Sequence, residues 1–245
     1  MTGIDERARV LLDWLAGIGA AALAEIADAA GLSAPATAAR LRRLESERLV
    51  VSVRLLHGQP ALYAITRGGL RAVGRNELAP VRVSNSGFLH LLECARVARS
   101  LECVLAGSHT VHSERELRAW ERAAGRPLVS AELGFSVAAG ADVHRPDLVC
   151  LPVGSGAALL PLAVEVELTV KAPARLLAIV RGWARSRRVA GVVYYAAPAP
   201  LRALERAVLE ESAAPLVQVL PLAAAARLPA AFADPRSTSP IPRAP

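Results

Sequence analysis

The sequence predicts a mixed α/β chain built in two folded parts, and three observations lead there. Residues 5–75 run helix, helix, glycine turn, helix and then a pair of β-prone segments. Residues 88–222 alternate strand-like and helix-like segments, as layered α/β folds do. Between them "NELAPVRVSNSG" (76–87) is polar and interrupted, the mark of a linker.

In the first part, "DERARVLLDWLAGIG" puts Val10, Leu11, Trp14 and Leu15 on one helical stripe. "AALAEIADAAG" reads as a second helix stopped by Gly31. Ser33 is the expected N-cap of "APATAARLRRLESERL", with Pro35 in the first turn where its missing N–H costs nothing. "VVSVRLL-HGQP-ALYAIT" is a hairpin around a Gly/Pro turn, and Thr66 caps a short helix, "RGGLRAVG". This order is that of a winged helix-turn-helix. On the third helix Ala38, Leu41 and Leu44 form the inward stripe, while Arg40 and Arg43 point outward with Arg42 beside them. Guanidinium groups so placed can meet phosphates or a guanine edge in a major groove. The duplex-DNA contacts expected here are Ser33, Thr37, Arg40, Arg42 and Arg43 on that helix, with Arg54 and His57 on the hairpin.

A long helix follows from Phe88 to about Leu105, apolar at Leu89, Leu92, Ala95 and Val97, which bridges the halves or supports a homodimer. The winged-helix part is the other expected dimer surface. Then Ser113 and Glu116 form a capping box that starts "HSERELRAWERAAG". Three β-prone runs follow: "LVSAELGFSVA", "RPDLVCLPV" and "LPLAVEVELTV". A helix, "APARLLAIVRGWARSRR", carries Leu176, Ile179, Val180 and Trp183 as its inward stripe. Arg181, Arg185 and Arg188 line its other side and could track a phosphate backbone, or be a solvated face. "VAGVVYYAA" is apolar throughout, as a strand covered on both faces is. "PLRALERAVLEES" and "PLVQVLPL" add a helix and a last strand, and residues 223–245 read as a disordered tail.

The order helix, three strands, helix, strand is that of the PD-(D/E)XK nuclease-like, or restriction-endonuclease-like, αβββαβ fold. There, acids on neighbouring strands hold Mg²⁺ and a lysine polarises the attacking water. Mg²⁺ wants hard oxygen ligands, and it lowers the pKa of bound water while neutralising phosphate charge. Asp147, Glu165 and Glu167 are the expected metal ligands and, with Lys171, the expected catalytic set. Along "VEVELTVK" the alternation places Val164, Val166, Leu168 and Val170 on one side, and Glu165, Glu167, Thr169 and Lys171 on the other. The motif lysine belongs two residues after the acid, and there this sequence has Glu167 or Thr169 instead. Lys171 either reaches back into the site, or the site binds without cleaving.

Composition bounds the remaining classes. Hydrophobic residues make up 53% of the chain and charged residues 21%, enough for ordinary folded cores. Lys+Arg number 29 against 22 Asp+Glu, a basic excess carried almost wholly by arginine, which fits a polyanionic partner. Three scattered cysteines, Cys94, Cys103 and Cys150, show no metal spacing and fit a reducing cytoplasm. His90, His109, His112 and His144 make no zinc pattern, although His144 is close to Asp147 in sequence. No apolar run is long enough to span a membrane, and the N-terminus lacks signal-peptide character.

With those pieces in view, the chain resembles the replication-relaxation family of plasmid and actinobacterial proteins. The resemblance rests on "LYAITRGGLRAVG", "HSERELR", "HRPD", "VEVELTVKAPAR" and "GVVYYAAP", in that order, over roughly residues 8–200. It implies a winged-helix DNA-binding part joined to a nuclease-like part, with a role in plasmid replication, DNA relaxation or mobilisation. The positions it carries over are His144, Pro146, Asp147, Glu165, Glu167, Lys171 and Arg175. It also implies that "EVE…K" is the family's own arrangement.

Overall fold

Asp5 starts the first helix, α1 (Glu6–Ile18), by accepting from the Ala8 N–H at 2.7 Å, one of the donors that a helix start leaves unmet. The computed structural model describes residues 4–136, 140–154 and 159–225, and the chain divides into two units, 1–99 and 100–245. It is a mixed α/β protein with eight α-helices and three sheets among the described residues.

In the first unit α1 is followed by β1 (Ala20–Ala22), α2 (Leu23–Ala29), α3 (Ala34–Ser46), β2 (Val50–Val53), β3 (Leu62–Ile65) and α4 (Arg67–Ala72). The strands form one antiparallel sheet in the order β1-β3-β2. Both expected caps are present: Ser33 Oγ accepts from Ala36 N, and Thr66 Oγ1 from Gly69 N. Three alanines form β1, two of them where the sequence reads as helix. Alanine favours helix locally, but Ala20–Ala22 pair with Leu62–Ala64 and are fully enclosed, so the ladder overrides propensity. Other expectations shift by one helical position. Val10 is exposed while Ala8, Leu12 and Ala16 join Leu11 and Leu15 inside. On α3 the inward stripe is Thr37, Leu41 and Leu44, with Ala38 only half-buried.

The helix α5 (Phe88–Val104) spans the predicted range, but its first twelve residues belong to the first unit, not the second. Phe88 and Leu92 pack with Ala22 and Leu62. Arg96 pairs with Glu25, and Arg99 with Asp28 at 2.6 Å, which fastens the helix to α2. Leu89, expected inward, is exposed. The stretch 76–87 is packed rather than loose at Leu78, which is buried and whose carbonyl accepts from Arg67.

The second unit holds β4 (His109–Ser113), α6 (Glu114–Ala124), β5 (Ala131–Ser136), β6 (Gly140–His144), β7 (Leu148–Pro152), β8 (Leu162–Glu167), α7 (Pro173–Ala184), β9 (Gly191–Ala196), α8 (Pro198–Glu210) and β10 (Val217–Pro221). Its main sheet runs β10-β9-β8-β7-β4. β7 is antiparallel to both neighbours, whereas β8, β9 and β10 are parallel, linked by the crossover helices α7 and α8. The capping box at Ser113 forms as expected. The first of the three predicted strands does not join this sheet. It is β5, paired among the described residues with β6, and β4 takes the place beside β7. "HTVHS" escaped notice because polar residues alternate with little that is apolar. Residues 226–245, where the tail was expected, lie outside the described residues; 222–224 form a single 3₁₀ turn.

One face of the sheet presents Val149, Ala163, Val192 and Tyr194 to Leu176, Ile179, Val180 and Trp183 of α7, the predicted stripe, and to Leu204, Ala207 and Val208 of α8. The opposite face, with Cys150, Val164, Val166 and Tyr195, is buried as well. Strand β8 is therefore buried along its whole length, and two of its six residues are glutamates.

Candidate functional site

The carboxylates need a physical reason to sit in that strand, and each has one. β7 and β8 pair through Leu148 and Val164, where the ladder ends. Past that pair the Val166 N–H needs an acceptor. The Asp147 carboxylate supplies one, Oδ2 accepting from the Val166 N–H at 2.7 Å. A side chain thus completes the strand end, and the aspartate lies between the backbone positions of the two glutamates.

Glu165 points toward α7 from deep burial. Its Oε1 accepts from the Trp183 indole N–H at 3.2 Å and lies 2.7 Å from His144 Nε2 at the end of β6. Burial pushes the Glu165 carboxyl upward, against the pull of His144, and the Asp147 charge adds to the rise. For His144 burial acts downward, but the charge and hydrogen bond of Glu165, with Asp147 behind them, leave it above its ordinary value. The pair holds protons more tightly than either group would in water. Tyr194, the register partner of Glu165 on β9, is buried and its hydroxyl has no hydrogen-bond partner among the described residues. Burial and the Glu165 charge push that phenol well above its usual range.

Lys171 lies past the end of β8, in the segment leading to α7, and its ammonium pairs with Glu167 Oε2 four residues back. Burial lowers the Lys171 pKa, while the charges of Glu165 and Asp147 act to raise it. The lysine therefore answers to all three acids, although it stands in neither position that the motif spacing expects. Arg175, carried over by the resemblance, pairs with Asp142 on β6 at 2.9 Å. The four residues Asp147, Glu165, Glu167 and Lys171 are brought together, with His144 and Trp183 against Glu165. The polar role of Trp183 was hidden in an apolar stripe, and that of Tyr194 in an apolar strand. Glu121 was also missed. Buried on α6, it accepts from the N–H groups of Leu128 and Ser130 and from Ser130 Oγ, and pairs with Arg145 at 2.9 Å, so it anchors the chain just before Pro146 and Asp147.

The donor set is of the oxygen type that a hard divalent cation takes, but the ligand oxygens of Asp147, Glu165 and Glu167 do not all lie within 4.8 Å of one another. It offers carboxylate oxygens and no thiolate, and a protein donor already orients one oxygen of each acid. Glu165 and Glu167 are nonetheless anchored without a metal.

The expected DNA contacts divide. Arg42, Arg43, Arg54 and His57 are exposed on α3 and the hairpin, as a contact surface requires. Arg43 pairs with Glu47 at 2.9 Å, and Arg54 reaches the Gln59 carbonyl. Ser33 is exposed but spends its hydroxyl oxygen on the cap. Thr37 is a correction. It is fully buried and its hydroxyl donates to the Ser33 carbonyl, so it packs the helix and reaches no groove. Arg40 is half-buried, with one N–H toward Ala36 O and its Nε enclosed without a partner among the described residues. It lines a cavity of about 240 Å³ with Asp5, Ala8, Arg43 and Glu47, between α1 and α3. The arginine row of α7 is also corrected. The helix ends at Ala184, so Arg185 is its C-cap and Arg188 lies beyond it. Arg181 is clamped by Glu211 at 2.6 and 2.8 Å, and Arg188 pairs with Glu132. No helix among the described residues is long and apolar enough to cross a membrane. No family model, curated protein or solved structure matches the chain.

Proposed function

We propose that this is a duplex-DNA-binding protein of the replication-relaxation type. It binds through a winged helix in residues 5–75 and carries a nuclease-like unit in the second half. The observation that supports it most is the Asp147 carboxylate on the Val166 N–H, between Glu165 and Glu167, with Lys171 paired to Glu167. Further support comes from the three-stranded antiparallel sheet packed with four helices in the first unit, and from Arg42, Arg43 and Arg54 exposed there. The antiparallel run β4-β7-β8 followed by a helix and a parallel strand is the order that a nuclease-like unit requires.

At the acidic site the fitting activity is Mg²⁺-dependent nicking of DNA. Asp147, Glu165 and Glu167 would hold the cation, which when bound supplies a more acidic water and charge neutralisation at the phosphate. The chain's own residues would orient and shield. Trp183 and His144 fix Glu165, the strand-end bond fixes Asp147, and Lys171 is the cation that can turn from Glu167 to a phosphate oxygen. A second reading, DNA binding without cleavage, is favoured by the same ion pair, since it already neutralises Glu167. Supercoiled plasmid incubated with the protein and Mg²⁺ or Mn²⁺ separates them. Nicked circles, lost in Asp147→Asn and Lys171→Met but not in Arg42→Ala/Arg43→Ala at saturating protein, support nicking. Salt-sensitive gel shifts without nicked circles support binding alone. Absence of both refutes the proposal.

A further inference from the structure

A second cleft lies on the C-terminal unit, where β5 meets the end of α7. Gly182 makes the meeting possible, because a Cβ there would sit 3.0 Å from the Glu132 carbonyl and 2.7 Å from a Leu133 methyl. Around that contact Glu132, Gly182, Arg185, Ser186, Arg187 and Arg188 line a space of about 560 Å³, within the size range of ligand sites.

Its chemistry is one-sided, with three guanidiniums facing one carboxylate. Arg188 spends itself on that carboxylate, at 2.6 Å from Glu132. Arg185 lies near enough to Glu211 to help lower its pKa, but Glu211 is already clamped by Arg181. Arg187 is exposed and forms no ion pair among the described residues. Ser186 Oγ accepts from the Arg188 N–H at 3.3 Å, which leaves the hydroxyl proton to donate. A basic residue at the carboxyl end of a helix also meets the helix dipole, and that accounts for Arg185. It does not account for Arg187 and Arg188, which lie beyond the last turn. The cleft shares elements with the acidic site: Gly182 adjoins Trp183 in the chain, and Glu132 adjoins Ala131, the register partner of His144.

We propose that this cleft is a binding site for phosphate oxyanions, with Arg185 and Arg187 as the charged contacts and Ser186 as a neutral donor. The phosphates come either from a nucleic-acid backbone or from a free polyphosphate. The first source rests on the DNA-binding reading above, and the second does not.

The test is the double variant Arg185→Ala/Arg187→Ala in the full chain, checked for unchanged circular dichroism and melting. Two probes are used: a short fluorescent duplex followed by anisotropy across a salt series, and sodium tripolyphosphate followed by calorimetry. Loss of two backbone contacts makes the slope of log K against log salt shallower by about 1.8. That result supports the site with a nucleic-acid source. Tripolyphosphate heat that disappears in the variant, with the duplex slope unchanged, supports it with a free-polyphosphate source. If both probes bind variant and wild type alike, or neither binds the wild type, the cleft is not a phosphate site. A wild-type protein that ignores duplex yet binds tripolyphosphate overturns the DNA reading and leaves the cleft standing.

Discussion

Replacing His144 by alanine tests the account of the buried strand. The imidazole lies 2.7 Å from Glu165, whose side chain is 5% exposed, so removal strands a carboxylate inside the sheet. Breaking a buried pair by deleting one partner costs about 3–5 kcal/mol. The lower end applies, because Trp183 still donates to Oε1 and His144 is itself 18% exposed. A loss of about 3 kcal/mol lowers the melting temperature by about 6–12 °C in a chain of this size. The pH dependence follows from the signs. Both folded pKa values lie above their ordinary 4.5 and 6.5, so the folded state keeps protons that the unfolded chain releases. The contribution of this pair to stability is therefore full below the ordinary carboxylate value and declines as pH rises through both folded values. In His144→Ala the cost is small in acid, where Glu165 is protonated, and grows toward neutral pH. Denaturant titrations at several pH values, in a double-mutant cycle with Glu165→Gln, measure it. A penalty independent of pH, or single costs additive to within about 0.5 kcal/mol, would refute the reasoning.

Gly69→Ala should destabilise the first unit by about 1–2 kcal/mol net: overpacking costs up to about 3 kcal/mol, and alanine returns about 1 in helix propensity. The added Cβ would lie 2.2 Å from the Leu49 carbonyl, a fixed backbone atom, and an unchanged melt would contradict this. Glu121→Ala should cost about 3 kcal/mol at neutral pH by leaving Arg145 and three N–H or O–H donors unmet. Burial acts to raise the Glu121 pKa, but its hydrogen bonds and Arg145 leave it below the ordinary value. Its stabilisation is thus present above pH 4.5 and lost as pH falls through the folded value, so the variant's penalty should shrink in acid. Limited proteolysis at residues 126–130 reports the same loosening, and a penalty that grows in acid would reverse the assignment.

Much of this architecture was legible because local chemistry and tertiary packing agree. Ser33, Thr66 and Ser113 cap the helices that the sequence assigns them, and the α7 stripe of Leu176, Ile179, Val180 and Trp183 packs inward as its spacing requires. That Glu165 and Glu167 share one face of their strand was legible from β alternation. What was not legible depends on partners distant in sequence. Ala20–Ala22 become a strand only because Leu62–Ala64 lie alongside, and β4 displaces β5 through a pairing that its polar residues do not announce. Arg181 and Arg188 looked available along one helix, but Glu211 and Glu132 come from elsewhere to claim them.

The strand that carries Glu165 also constrains how the chain can drift. His144, Glu165 and Trp183 come from three separate segments yet satisfy one another through a single oxygen. An aliphatic replacement of the glutamate would free the other two to become aliphatic in their turn, whereas either one changed alone leaves a polar group stranded. The three positions therefore form one heritable unit, expected to persist or to vanish together across descendants of this sequence.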